Sequence, residues 1–419
     1  MSKAIKIDLV ALYKIVYNKD MKLQKIRINR IKELKEEVKL KVKDPRKKHK
    51  IKYKIWDIVI VAILAVLANC NDWEEIEDFG RYRIKWLRKS LLLTGGIPSA
   101  LTYERVMGVL DKDTLNEIFV GFCKRIKQNK KTRTFKDIFS FDGKVDRGSS
   151  RQKTMYSEEI KPLNVLNVYS DSLGISVEQE IIEDKTNEIP MIPIIIEKLD
   201  LKGVICTWDA INTQRENVAA VKAKGGDYVV ALKGNQGTFL GNVKNYLNEE
   251  RLEIIRSGYE GSYLCKVEKT HGKIIKYEYF QTEQIKWYLG KENWEGLKSI
   301  GAVKKSVDTG LEQYVEKRYY ISSLFLNIEM FSNSIRKHWN VENKLHWQLD
   351  FTFKCDSNLT VNKQALFNLQ LIKKFALGIL TGVQWKYGKS LKKIRNIIAL
   401  NTEEEIEKIF ANFSTFGSS

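Results

Sequence analysis

Proline is scarce in this chain, five in 419 residues, and the 25 glycines follow no fixed period, so collagenous and low-complexity architectures are excluded. Cysteine is equally sparse, with single residues at 70, 123, 206, 265 and 355. No two of them form a CxxC pair, which argues against a zinc ribbon and against a secreted disulfide framework. The opening MSKAIKIDLV lacks the apolar run and small-residue cleavage site of a secretory leader. The apolar stretch Trp56 to Ala68 contains Asp57 and falls short of the ~20 residues that cross a bilayer. These absences lead to the expectation of a soluble, cytoplasmic protein with no membrane partner.

What remains is globular and basic. A hydrophobic fraction of 43% and an aromatic fraction of 11% supply a large core, and at roughly 150 residues per domain the length suggests two or three domains. Lys and Arg number 72 against 52 Asp and Glu, a net charge of +20 that favours a polyanionic partner, nucleic acid first. The excess is uneven. Residues 1–50 hold 17 Lys or Arg and 6 Asp or Glu, which marks residues 1–52 as a basic N-terminal arm. Leu23, Ile26, Ile31, Leu34 and Val38 recur there at near-helical spacing, so the arm reads as an amphipathic basic helix or a solvated leader.

Residues 53–130 read as helical, broken at Gly95-Gly96-Ile97-Pro98. A basic stretch, Lys124 to Lys136, then marks a boundary. Strand-like runs follow at Ile138 to Lys144, Leu163 to Ser170, Ile175 to Ile182, Val204 to Asp209 and Tyr228 to Lys233. Helical segments at Pro190 to Leu199 and Thr213 to Lys224 interleave with them, the pattern of a mixed α/β sheet. Strands return over 262–324, with His271-Gly272-Lys273 as a hairpin turn. Helices resume from Phe325, including Ile328 to Leu349 and Lys363 to Leu380, and a helical tail occupies 386–419.

Two aspartates end apolar strands: Asp142 in Ser140-Phe141-Asp142-Gly143-Lys144, and Asp209 in Val204 through Ala210. Each has a small neighbour, and either alone is an ordinary turn former. If the two strands are adjacent, the carboxylates emerge together and can share hard divalent cations, which prefer oxygen ligands. A third acidic group lies on the helix Ser334 to Trp347, where His338, Glu342 and His346 are successive i, i+4 neighbours. A zinc site is one reading of that stripe, although the HExxH arrangement is absent. The bland reading is that Trp339, Leu345 and Trp347 are core and the polar residues face solvent.

The run Ile335 to Asp350, with its HWxxENxLHWxLD pattern, resembles the C-terminal signature of DDE transposases of bacterial insertion sequences, in the ISAs-type group that includes H-repeat proteins associated with Rhs elements. The FDGK segment at 141–144, Lys185-Thr186-Asn187-Glu188-Ile189-Pro190, the run Gly225 to Gln236, and Arg318 to Leu324 are similar to the same group, in the same order. Asp44-Pro45-Arg46 and Ile97 to Thr102 resemble the helical, DNA-binding domain that accompanies these transposases. The resemblance spans roughly residues 40–385.

That resemblance implies an RNase H-like mixed-sheet catalytic domain over 131–385, preceded by an all-helical domain and carrying a β-rich insertion at about 255–324. It implies an acidic triad of Asp142, Asp209 and Glu342 holding two Mg²⁺ ions, with Mn²⁺ as a substitute. The separations are 67 and 133 residues, and the second contains the hairpin-rich region. In the wider class a Tyr, Arg, Glu, Lys pattern surrounds the glutamate; here Ile335 and His338 stand at the first two positions, and Leu349 stands seven residues after Glu342. His338, Arg336 and Lys344 are therefore the candidates for the terminal phosphate. Lys144, Lys185 and Lys233 are candidate phosphate contacts, and Asn235 and Gln236 either bind DNA edges or end a strand. Asn187 and Glu188 read as helix-start residues before Pro190.

The implied activity is binding of terminal inverted repeats, with cleavage and joining of double-stranded DNA by a homodimer and no small-molecule substrate. A transposition-defective H-repeat-type remnant that binds DNA without catalysis is the alternative. A non-enzymatic basic DNA-binding protein would explain the charge but leave the strand-end aspartates idle.

Overall fold

The computed structural model describes residues 31–93, 95–127, 136–154, 157–183, 187–270, 272–310 and 312–412. Most of the basic arm and Lys185 lie outside them. Six helices come first: α1 (31–41), α2 (Ile55–Leu67), α3 (Trp73–Tyr82), α4 (Ile84–Leu91), α5 (Ala100–Met107) and α6 (Lys112–Lys127). Strands β1 (Asp137–Asp146), β2 (Leu163–Ser170) and β3 (Ile175–Ile181) follow, then α7 (Met191–Glu197), β4 (Val204–Trp208), α8 (Arg215–Ala223) and β5 (Asp227–Leu232). Next come α9 (Gly237–Tyr246), α10 (Glu249–Arg256), β6 (Ser262–Thr270), β7 (Lys273–Thr282), β8 (Ser299–Asp308) and β9 (Gln313–Ser322). The chain ends with α11 (Ile328–His338), a π-helical segment Val341–His346, α12 (Trp347–Phe351), α13 (Lys363–Tyr387), α14 (Leu391–Leu400) and α15 (Thr402–Asn412).

Two compact units result. One gathers residues up to 131, 146–162 and 348–419; the other holds 132–145 and 163–347. This division departs from boundaries drawn along the sequence, which ran the catalytic region to 385 and set a tail apart from 386. The reason is burial. Helix α13 is apolar on every side, so it makes a core only when other helices surround it, and α2, α5 and α6 do so. By length and composition α13 could cross a membrane, yet 89% of its most apolar 18-residue window is buried inside the protein.

The helical unit also buries charge. Lys35 pairs with Asp57 at 2.6 Å and donates to the Leu91 carbonyl. Arg395 is fully buried. It donates to the carbonyls of Val66 at 2.7 Å, Cys70 at 3.1 Å and Thr352, and to Asn71 Oδ1 at 3.1 Å, while its guanidinium lies 4.2 Å from the Phe353 ring. Burial pushes its pKa down to about 10, so it stays charged at neutral pH. The fork thereby closes the C-terminal carbonyls of α2 and links the early helices to the late ones.

The second unit is built on one nine-stranded sheet in the order β3-β2-β1-β4-β5-β9-β8-β7-β6. Strands β1, β4 and β5 run parallel, and β5 pairs antiparallel with β9, so the hairpin-rich insertion extends the main sheet. Helix α11 covers one face. Its Phe331 and Ile335 pack into a cluster with Ile138 of β1, Ile205 of β4 and Val229 of β5. Alternation along those strands puts every second residue on that face.

Arg395→Ala should strip several charge-assisted hydrogen bonds at once and destabilise the helical unit by roughly 3 kcal/mol or more. Urea unfolding followed by circular dichroism measures it; a loss below about 0.5 kcal/mol, the scale of an ordinary surface substitution, would contradict the role assigned to this side chain.

Candidate active site

The register of β1 against β4 builds the site. Ser140 pairs with Thr207 and Phe141 with Trp208, so Asp142 and Asp209 are the next residues along two adjacent parallel strands. Neighbouring strands lie about 4.8 Å apart. Phe141 and Trp208 point into the core, where their rings meet edge to face at 5.7 Å. Ser140 and Thr207 point to the other side, and by the two-residue period so do the aspartates. Small polar residues there let the end of α11 approach: Thr207 Oγ1 lies 3.2 Å from His338 Nδ1 and 3.2 Å from Ser140 Oγ.

The helix bearing the third carboxylate is not regular. Between Val341 and His346 it widens into a π-helix, and the Trp347 N–H bonds back to the Glu342 carbonyl, five residues earlier. One extra residue in the ladder makes His346 occupy the place that a residue seven after His338 would hold in an uninterrupted helix, two turns on and on the same face. Both histidines then reach the two aspartates. His338 Nε2 is 3.4 Å from Asp209 Oδ1, and His346 Nδ1 is 3.3 Å from Asp142 Oδ2. Asn167 Nδ2 braces the other ring nitrogen of His346 at 3.4 Å. Glu342, exposed, sits on the helix midway between the two histidines. Asp171 anchors this stretch through Lys337 at 2.7 Å and Asn340 at 2.6 Å.

The charges are partly balanced. A hydrogen bond from His338, with its positive field and those of Lys233 and Arg318, holds the Asp209 carboxyl below the usual range. Glu188 behaves oppositely. Burial, together with the negative charges of Asp142 and Asp209, lifts its carboxyl above the ordinary value against the lowering effect of the Asn212 hydrogen bond.

The remaining sequence-derived candidates are dispersed. Lys233 stands near enough to Asp209 to act on it electrostatically. Asn235 donates to the carbonyls of Ala210 and Ile211 at 3.0 and 3.3 Å, and Gln236 to that of Thr213; both side chains brace the turn after Asp209, where edge recognition of DNA was one expectation. Arg336 faces the insertion, paired with Glu268 and 4.5 Å from the Tyr277 ring. Lys144 is buried, and Lys344 is half-exposed with Asp171 at 3.7 Å. Lys185 falls outside the described residues. Ile335, at the position of the class tyrosine, is core. Trp339 and Trp347, which the helix pattern assigns to the core, are half-exposed, and the Arg318 guanidinium lies 5.5 Å from the Trp339 ring.

Sequence reasoning missed Arg318 and the side-chain role of Glu188. Both lie in motifs that it singled out, but only the tertiary fold brings them to the aspartates. For the zinc reading, the two histidines turn to separate carboxylates, and among the described residues no three His, Cys, Asp or Glu side chains are grouped to hold a metal as they stand.

Comparison with known proteins shows the family. Residues 133–379 match the family described as "Transposase DDE domain", and residues 39–123 match one described as "DDE_Tnp_1-associated". "Putative transposase YncI" of Escherichia coli O157:H7 is 31% identical over 382 residues, which cover 90% of this chain and 94% of the relative. "H repeat-associated putative transposase YhhI" of Escherichia coli K12 is 30% identical over 356 residues, 81% of this chain and 88% of the relative. A piggyBac transposase solved in a synaptic complex with hairpin DNA aligns with a TM-score of 0.37 at 13% identity, covering 93% of this chain and 80% of that one. The chain, with most of its length matched by the transposase DDE domain and with relatives named as putative transposases, belongs to the DDE transposase family.

Proposed function

We propose that this protein binds the terminal inverted repeats of an insertion sequence and catalyses metal-dependent cleavage and strand transfer, with Asp142, Asp209 and Glu342 as the catalytic acids. One observation carries the reading: the Phe141 and Trp208 register that sets Asp142 and Asp209 side by side beneath the helix of Glu342. The order β3-β2-β1-β4-β5 with a helix over the parallel strands supports an RNase H-like assignment for this part of the sheet.

The donor set suits divalent cations. Carboxylate oxygens are the hard ligands that Mg²⁺ or Mn²⁺ takes, and burial, followed by the negative charges of Asp142 and Asp209, raises the Glu188 carboxyl beside them. Asp142, Asp209 and Glu342 would hold them. A pair of cations held there would supply activation of the attacking oxygen and charge neutralisation at the leaving one in an in-line displacement at phosphorus. The protein's own part is positional. Thr207 orients His338, Asn167 orients His346, and the two rings lie against the carboxylates of Asp209 and Asp142. Lys233 and Arg318 add positive charge beside Asp209, where a scissile phosphate would lie.

Double-stranded DNA fits the +20 charge, and the basic arm supplies counterion release as a driving force. Joining two element ends calls for two active sites, hence a homodimer on DNA, acting in the cytoplasm. The second reading is the remnant that binds DNA without catalysis; the intact Asp142, Asp209 and Glu342 argue against it.

Asp142→Asn should abolish strand cleavage and leave repeat binding nearly unchanged in gel-shift titrations; equal loss of both would assign the side chain to folding. Removing residues 1–30, which leaves α1 and the Lys35–Asp57 pair in place, should flatten the plot of log affinity against log salt by about 0.9 for each phosphate that this part of the arm neutralises. An unaltered slope would refute the arm's role. His338→Gln and His346→Gln should each cost about 10–100-fold in cation affinity or cleavage, as other supports of metal ligands do. A stoichiometric zinc that disappears with either change would favour a hydrolase instead.

A further inference from the structure

Glu188 lies between β3 and α7, where the sequence reads only as a helix start. Its backbone meets that need: the Glu188 carbonyl accepts from the Met191 N–H at 3.0 Å, and Asn187 Oδ1 accepts from the Ile189 N–H at 3.0 Å. Neither contact requires a carboxylate at 188. The side chain runs elsewhere. A Cβ added to Gly143 would land on the Glu188 carboxyl, so this group fills the hollow that glycine leaves beside Asp142. Its Oε2 accepts from Asn212 Nδ2 at 2.8 Å. Asn212 is buried in the turn after Asp209; its N–H donates to the Asp209 carbonyl at 2.9 Å, and its own carbonyl accepts from Asn217 Nδ2 at 2.7 Å. A single carboxylate therefore touches the residue after one aspartate and the turn after the other. Half-burying it beside two like charges is costly unless that contact serves the site.

We propose that Glu188 is a positioning residue of the catalytic site, clamping Gly143 to the Asn212 turn and thereby setting the separation at which Asp142 and Asp209 share cations. The inference rests on reading those two aspartates as cation ligands. It explains why glycine follows Asp142 and why a buried Asn stands three residues after Asp209, two features that metal ligation alone does not require.

The test uses the full-length protein and reads Mn²⁺ binding without DNA by isothermal titration calorimetry, together with the Mg²⁺ dependence of strand cleavage. Glu188→Gln keeps the shape and an acceptor for Asn212, and should stay within about threefold of the unaltered cation affinity. Glu188→Ala and Asn212→Ala should each weaken it about 10–100-fold, as loss of an outer support does elsewhere, with cleavage at saturating Mg²⁺ largely restored. Gly143→Ala, which displaces the carboxylate, should match them. Should Glu188→Ala fail to fold, as judged by circular dichroism, Asn212→Ala and Glu188→Gln still decide the matter. Glu188→Gln as damaging as Glu188→Ala, with Asn212→Ala harmless, would overturn the clamp in favour of direct ligation. Unchanged affinity in Asn212→Ala and Gly143→Ala would overturn it outright. Asp142→Asn is the control: if that variant binds Mn²⁺ normally, the reading of the aspartates as ligands fails, independently of the clamp.

Discussion

Parallel pairing of β1 with β4 is the constraint on which the catalytic unit depends. Side chains alternate along a strand, so a slip of one residue in this pairing would send one aspartate to the opposite face and bury it where Phe141 or Trp208 now packs. The aromatic pair beneath resists such a slip, because two large rings meeting edge to face have a defined partner geometry. Above, the small side chains of Ser140 and Thr207 leave room for the C-terminal end of α11 to settle on the same two strands. Two layers, one apolar and one polar, therefore specify one register.

Charge is the second theme of this site. Carboxylates brought within one strand spacing repel, and the fold meets that repulsion with groups from four elements: His338 of α11, His346 of the π-helical segment, Lys233 after β5, and Arg318 of β9. The π-helical turn is central to this because it brings two histidines eight residues apart onto one helix face. An uninterrupted helix would rotate His346 away. Irregular helical turns of this kind recur at functional sites for that reason.

The helical unit solves a different problem. Its core helices are nearly uniform in hydrophobicity, and apolar faces alone give many similar ways to pack. Buried charges narrow the choice. Arg395 satisfies the carbonyl ends of α2 in one arrangement only, and Lys35 must find Asp57 and the Leu91 carbonyl together. A mispacked arrangement would leave either cation without partners in an apolar interior.

Strand alternation, turn residues and charge runs are local properties, and they mark out much of the secondary structure: β1 through β7, α7, α8 and α13 sit where the residue pattern puts them, β8 and β9 fall inside the strand-rich 262–324 region, and the single helix read over 328–349 is divided into α11, the π-helical segment and α12. Helices α9 and α10 escaped notice, since their few apolar positions fall between two stronger strand signals. The π-helical turn is invisible too, because Asn340 through His346 reads as ordinary helix residue by residue. Asp142, Asp209 and Glu342 stand out from their motifs, yet the roles of Asn235, Gln236, Arg336 and Glu188 do not, as a polar side chain's partner is set by what folds against it.

By itself, then, the order of residues marked out Asp142 and Asp209 after their apolar runs, the basic composition of the first fifty residues and the family signature, all of which depend on neighbours within a few positions. Tertiary structure alone decided that β9 joins β5, that α13 belongs with the early helices, and that the Glu188 side chain reaches both Gly143 and Asn212. Those outcomes follow from burial and pairing between segments far apart in the chain, whose energies no local pattern encodes.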